Sequence, residues 1–257
     1  MMAGRNNELS VRFLCAGDTA LVVEFGDRID RALSDRVLRL DAKLRSAKLP
    51  GVVETVPTYR SLMVNYDPLK TDRASLEQQL SAWLEDGAGA ASAARLWRVP
   101  ACYEQTHAPD LDEVAQRTER SAAEVVRLHT ETLFHVYMIG FVPGYPYMGD
   151  LPEALVLPRR VDPRTRVPAG SIAIAGAMTA IYPLESPGGW HLIGTTPIKL
   201  FDHTLPRPAL FSPGDKVRFE AISAARFEEI RLAAAEGTYE VPCESLPHEA
   251  DAPPLSG

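Results

Sequence analysis

Apolar and polar positions alternate along this chain at two periods, and the changes of period mark out its elements. Residues 11–15 (VRFLC) and 20–25 (ALVVEF) predict two short strands around the turn Gly17-Asp18. From Asp30 to Lys48, Leu33, Val37, Leu40 and Leu44 recur at helical spacing, and Gly51 lies just beyond. Val52–Pro57 and Ser61–Tyr66 predict a second strand pair. A second helix over Asp72–Glu85 puts Leu76, Leu80, Trp83 and Leu84 on one face. Two strands, a helix, two strands and a helix predict a small α+β domain over residues 8–86.

The pattern then lapses. DGAGAASAA (86–94) is small and featureless, which places a linker at 87–95 and a second domain at 96–233. That domain opens with a strand at Leu96–Ala101, followed by helices over Pro109–Thr118 and Ser121–Glu131. Ser121 and Glu124 have capping-box spacing. Leu133–Phe141 alternates, so His135, Tyr137, Ile139 and Phe141 share one face of a strand. Ser171–Ala175, His191–Gly194, Ile198–Phe201 and Lys216–Ile222 are further strands, with the turn Pro213-Gly214 before the last. Residues 234–257 are polar and proline-containing and predict a flexible tail.

Residues 140–197 carry eight of the 17 glycines and nine of the 21 prolines, interleaved with aromatic and β-branched residues. Disordered segments lack such apolar residues. Short strands joined by tightly specified turns, as in a small barrel, fit better, and the bends shape a pocket.

Composition narrows the function. A formal charge of −7 and no Lys/Arg-rich stretch argue against nucleic-acid binding. No apolar run approaches the ~18 residues of a membrane span, and MMAGRNNELS lacks a signal-peptide core. Three scattered cysteines without a CxxC pair fit a reducing cytoplasm. P-loop, dinucleotide-binding, zinc and nucleophile-elbow motifs are missing, so neither a metal site nor a self-sufficient enzyme is expected.

Three stretches can still carry chemistry. In Ser186-Pro187-Gly188-Gly189-Trp190-His191 the glycines permit converging backbone amides, Trp190 can floor a pocket and His191 can move a proton. The same residues also suit a tight barrel hairpin. Arg166-Val167-Pro168-Ala169-Gly170-Ser171 offers Arg166 as a clamp for a carboxylate or phosphate, or as a surface ion-pair partner. Phe141-Val142-Pro143-Gly144-Tyr145-Pro146-Tyr147 is either an aromatic pocket wall and partner surface or a rigid corner. His135 with Tyr137 is an acid–base candidate or a satisfied core histidine. Asp150, Glu185 and Asp202 lie near these turns without diagnostic partners.

The ordered strings GFVPGYPYMGDLP, PR, RVPAGSIAIAG, TAIYP, SPGGWHLIGTTP-x-x-LFD and PALFSPGDKVRF, with APDLDEVA and AAEVVRLH before them, resemble one family. It is the allophanate hydrolase subunit 1, Kip-type kinase-inhibitor or carboxyltransferase C/D family, which includes the B component of ATP-dependent 5-oxoprolinase. The resemblance covers about Pro109–Phe219, with a weaker fit before it.

It implies a cyclophilin-like β-barrel after the α+β domain. It also implies a complex with the C component of 5-oxoprolinase (allophanate hydrolase subunit 2-like) and with its A component. The implied reaction opens the 5-oxoproline lactam to glutamate, with ATP and magnesium serving the complex and no cofactor assigned to this chain. A urea or allophanate amidolyase component and a non-catalytic inhibitor of a sensor histidine kinase are the alternatives. Matching positions carried over as pocket residues are Arg166, Pro168, Gly170, Thr179, Tyr182, Pro183, Ser186, Pro187, Gly188, Gly189 and Trp190. Phe141, Pro143, Gly144 and Tyr147 form the expected wall or partner surface, and His191 joins the pocket. Met178, Ala180 and His191 depart from the amide, glycine and glutamine usual in the family.

Overall fold

A computed structural model describes residues 11–85 and 94–246. The chain divides into two compact units, Met1–Ser92 and Ala93–Gly257. Most of the predicted linker, residues 87–93, and the end of the predicted tail, 247–257, lie outside the described residues.

In the first unit β1 (Arg12–Cys15), β2 (Ala20–Glu24), β3 (Val52–Pro57) and β4 (Ser61–Tyr66) form an antiparallel sheet in the order β1-β2-β4-β3. Helix α1 (Arg31–Ala47) starts at Asp30, whose carboxylate accepts from the amides of Ala32 and Leu33. That satisfies two of the orphan donors of a helix start. The helix ends with Lys48 in the left-handed region at φ 46°. Its Leu33, Val37, Leu40 and Leu44 bury with Leu21, Val23, Leu62 and Val64, joined by Leu76 and Leu80 of α2 (Arg73–Glu85).

The second unit is built on a closed ring of seven strands. They are β5 (Arg95–Cys102), β6 (Phe134–Ile139), β7 (Pro146–Gly149), β9 (Ser171–Ala175), β10 (Met178–Ile181), β12 (His191–Thr195) and β13 (Lys216–Ile222). Their order is β12-β9-β10-β7-β6-β13-β5, and Thr195 opposite Cys102 closes the ring. Only β5 with β13 is parallel, so the barrel is mixed. Val99, Phe134, Val136, Ile172, Ile174, Ile193 and Phe219 are among the side chains of its core. A separate ribbon pairs β8 (Arg164–Val167) with β11 (Ser186–Gly188). Helices α3 (Leu111–Arg117) and α4 (Ala122–Glu131) intervene between β5 and β6, and Ser121 caps α4 as its spacing predicts.

Three expectations change. Ile198–Phe201 is not a strand, and a single bridge from Phe201 to Ala209 is its ladder contact. Its apolar residues Ile198 and Leu200 bury from a loop. The alternation of Leu133–Phe141 breaks at a bulge between Val136 and Met138, and Phe134 to Tyr137 are buried on both faces. Residues 234–246 are structured: helix α5 (Ala224–Ala235) reaches into them, and β14 (Cys243–Ser245) pairs antiparallel with β5. All three side chains of β14 are exposed, so its backbone pairing leaves no alternating pattern to read.

Candidate functional site

The corner between β6 and β7 begins the site. The amide of Gly140 donates to the Tyr145 carbonyl at 3.0 Å, and that of Tyr145 to Val142 at 3.1 Å. Inside this closed turn Phe141 sits at φ 70°, a region few non-glycine residues enter. Its ring is 63% exposed and meets Tyr145 edge-on at 5.5 Å. Gly144 sits at φ 77°, and a Cβ there would stand 2.8 Å from the Phe201 Cβ, so glycine is required twice over.

The corner delivers Tyr145 and Tyr147 to a cluster with Tyr182 and Trp190. The Tyr145 ring lies 4.9 Å from Tyr147, 5.1 Å from Tyr182 and 6.5 Å from Trp190, and Tyr147 lies 6.0 Å from Trp190. Tyr145, Tyr182 and Trp190 are buried and Tyr147 is partly open. Burial raises the phenol pKa of Tyr182, against a hydrogen bond from Tyr145. Burial also raises that of Tyr147, against the charge of Arg159. Both are neutral at pH 7. A Cβ on Gly188 would fall 2.1 Å from the Tyr182 hydroxyl, so that glycine makes room for the tyrosine. Ser186, two residues earlier on β11, buries an Oγ with no hydrogen-bond partner among the described residues.

Beside the cluster, the chain around Arg159 is pinned at both neighbours. His191 Nε2 lies 3.0 Å from the Pro158 carbonyl, which can only accept, so Nε2 carries the proton. The amide of Arg160 donates to the Gly189 carbonyl at 2.7 Å. Buried Asp110 anchors the chain beyond. It accepts two bonds from Arg164 at 2.8 and 2.6 Å, one from Arg160 at 3.3 Å and one from the Leu192 amide at 2.7 Å. Glu113 takes a second contact from Arg160 at 3.1 Å and one from Arg117 at 3.3 Å. Arg159 itself projects an exposed guanidinium 5.9 Å from the centre of the Trp190 ring. Among the described residues it has no carboxylate partner.

The chain belongs to the carboxyltransferase domain, subdomain C and D family. That family matches residues 11–211. Among curated relatives, the B subunit of 5-oxoprolinase from Bacillus subtilis (strain 168) is 36% identical over 80% of this chain and 91% of its own length. Its counterpart of the same name from Escherichia coli O157:H7 is 40% identical over 79% of this chain and 92% of its own. The urea amidolyase of K. lactis shares the fold: the solved structure superposes with a TM-score of 0.77 at 23% identity over 93% of this chain. This chain spans 16% of that enzyme's length.

The other positions carried over from the carboxyltransferase family scatter around this centre. Arg166 is 76% exposed and holds Glu185 through two bonds of 3.0 and 2.9 Å, away from the aromatic rings in its contacts. Pro168 is exposed. Gly170 sits at φ 83° with the Thr196 carbonyl 2.5 Å from where a Cβ would be, so the protein's own backbone fills that approach. Thr179 is fully buried, bonded to His129 and to the Ala173 carbonyl. Gly189 packs over Pro163, and Pro183 is buried while Pro187 and Pro143 are exposed. His135 is buried, with Lys216 Nζ 2.9 Å from its Nδ1. Asp202 is held by Lys199 and Thr204. An open groove of about 490 Å³ lined by Leu44, Arg45, Leu49 and Val52 belongs to the first unit and touches none of these residues.

Arg159 and Asp110 are missing from the motif-based set. Both stand inside strings that carry the family resemblance, PR and APDLDEVA, yet the 48 residues between them hide the clamp that Asp110 forms on Arg160 and Arg164. The three consecutive residues Pro158-Arg159-Arg160 give no sign of which arginine is spent on a carboxylate and which is not.

Proposed function

We propose that this chain is the B-type component of an ATP-dependent 5-oxoprolinase, opening the lactam of 5-oxoproline to glutamate together with the A and C components in the cytoplasm. The observation that carries this is the match to two proteins named as the B subunit of 5-oxoprolinase, over nine-tenths of their length and four-fifths of this chain. The urea amidolyase likeness is weaker in sequence and covers a small part of those enzymes, 15% of the relative at 27% identity and 16% of the solved structure at 23%. The mixed barrel is read as a cyclophilin-like one, a likeness of architecture that brings no isomerase activity with it.

On this reading the face around Arg159, Tyr147 and Phe141 binds and orients the lactam, and the ATP chemistry is completed by partner subunits. The residues here do not fit a magnesium triphosphate. Arg117, Arg160 and Arg164 each hold Asp110 or Glu113, which leaves one unpaired cation for several phosphate charges. The described residues include no group of three or more His, Cys, Asp or Glu that could hold a metal ion. A lactam is a resonance-stabilised amide, so what this chain supplies is positioning rather than a nucleophile.

The test is ADP release dependent on 5-oxoproline, measured with the chain alone and with the A and C components. Activity in the full mixture, and none from the chain alone, is expected. A soluble assembled complex that turns over urea and ignores 5-oxoproline overturns the reading.

A further inference from the structure

We propose that Arg159 is the anion-recognition residue of a site for a small cyclic monocarboxylate, with Tyr147 and Phe141 as the surface for its ring. The inference rests on the 5-oxoprolinase reading and names the group that takes the substrate's carboxylate.

The charge balance selects Arg159. Arg117, Arg160, Arg164 and Arg166 all hold carboxylates. Arg159 alone in this region has none among the described residues, and 5.9 Å to Trp190 is close to the outer limit of a useful cation–π contact. A guanidinium lying on a ring keeps its in-plane donors available, so it can take a carboxylate through two parallel bonds without leaving Trp190. One unpaired guanidinium matches one negative charge. A phosphate chain would require the neighbouring arginines to leave Asp110 and Glu113.

The position of Arg159 is built rather than incidental. Its two neighbours are tied to the Gly189–His191 segment through the Arg160 amide and the Pro158 carbonyl, the same segment that carries Trp190. His191 is therefore a positioning residue for Arg159. Partly open Tyr147, 6.0 Å from Trp190, adds aromatic surface of the kind that covers a small ring, and exposed Phe141 extends that surface through Tyr145.

The test follows the indole N–H signals of the full chain by NMR, assigning Trp190 with Trp190→Phe, and repeats the titrations by calorimetry on the chain assembled with its partner subunits. The probes are 5-oxoproline, benzoate, the neutral lactam 2-pyrrolidinone and magnesium ATP. Expected is a Trp190 shift with 5-oxoproline and none with 2-pyrrolidinone. Arg159→Gln weakens binding about tenfold or more, Arg159→Lys less, and Arg127→Gln, on the exposed face of α4, leaves it unchanged. Arg159-dependent binding of benzoate without 5-oxoproline supports the carboxylate site and removes the 5-oxoprolinase reading. Equal binding of the neutral lactam, indifference to Arg159→Gln, stronger binding of magnesium ATP at the same signals, or no carboxylate binding in either form overturns the proposal.

Discussion

Tyr103, His129 and Thr179 lie inside the barrel with their polar side-chain atoms bonded to one another. The Thr179 hydroxyl lies 3.1 Å from the Ala173 carbonyl, which can only accept, so it accepts in turn from His129 Nε2 at 3.0 Å. Nδ1 is then the acceptor for the Tyr103 hydroxyl at 2.8 Å, and the imidazole is neutral. Around Trp190 the groups do not close on themselves. Among the described residues Arg159 has no carboxylate, Ser186 Oγ has no partner, and His191 Nδ1 has no hydrogen bond and stands 3.8 Å from Glu113. Both regions mix aromatic rings with buried polar atoms. One uses up its hydrogen-bonding capacity within the fold, and the other keeps some in reserve.

The strongest way to break this contrast is to remove the clamp that frames the open region. Asp110→Ala strands Arg164 and the Leu192 amide and leaves Arg160 with Glu113 alone, and breaking a mostly buried ion pair costs about 3 kcal/mol. Urea denaturation should show that loss, and a change below about 1 kcal/mol would mean that solvent already shares the clamp.

The closed region is next, and pH reaches it. Burial pushes the His129 pKa down from 6.5 to about 3. Between those values the unfolded chain binds a proton that the folded one refuses, so stability falls as pH drops below about 6.5 and is unaffected above it. At pH 5 the loss from this group is about 2 kcal/mol. His129→Gln should flatten that part of the stability-versus-pH curve, and an unchanged slope would assign it to other groups. Thr179→Val, which leaves the Nε2 proton of His129 without an acceptor, should cost about 1–2 kcal/mol at pH 7.5 in the same assay.

Much of the fold was legible because each signal was local. Leu33, Val37, Leu40 and Leu44 fall at helical spacing and bury together, and Ser121 announces α4 through its cap. The strands Val52–Pro57, Ser61–Tyr66, Ser171–Ala175 and Lys216–Ile222 stand where alternation and turn residues put them. The strands β8 and β11 escaped because they are four and three residues long, and the Ser-Pro-Gly of β11 reads as a turn. At the site, the glycines were legible as residues that must be small, but not what fills the space: at Gly170 it is the Thr196 carbonyl and at Gly188 the Tyr182 hydroxyl. Arg166 and Arg159 look alike in sequence. Only the fold gives Glu185 to one and leaves the other facing Trp190.

The smallest expected effect sharpens the contrast most, because it sets the same chemical change in the two regions against itself. Thr179→Val deletes a hydroxyl that two groups use. Ser186→Ala deletes one that is buried and bonded to nothing described, so the fold loses no hydrogen bond and sheds a desolvated oxygen. Its stability should stay within about 0.5 kcal/mol of the parent or rise slightly. Destabilisation as large as that of Thr179→Val would show the Ser186 hydroxyl bonded within the fold and would erase the difference between the regions. A stable Ser186→Ala chain that lowers 5-oxoproline turnover in the assembled complex would instead make the ligand the missing partner of that hydroxyl.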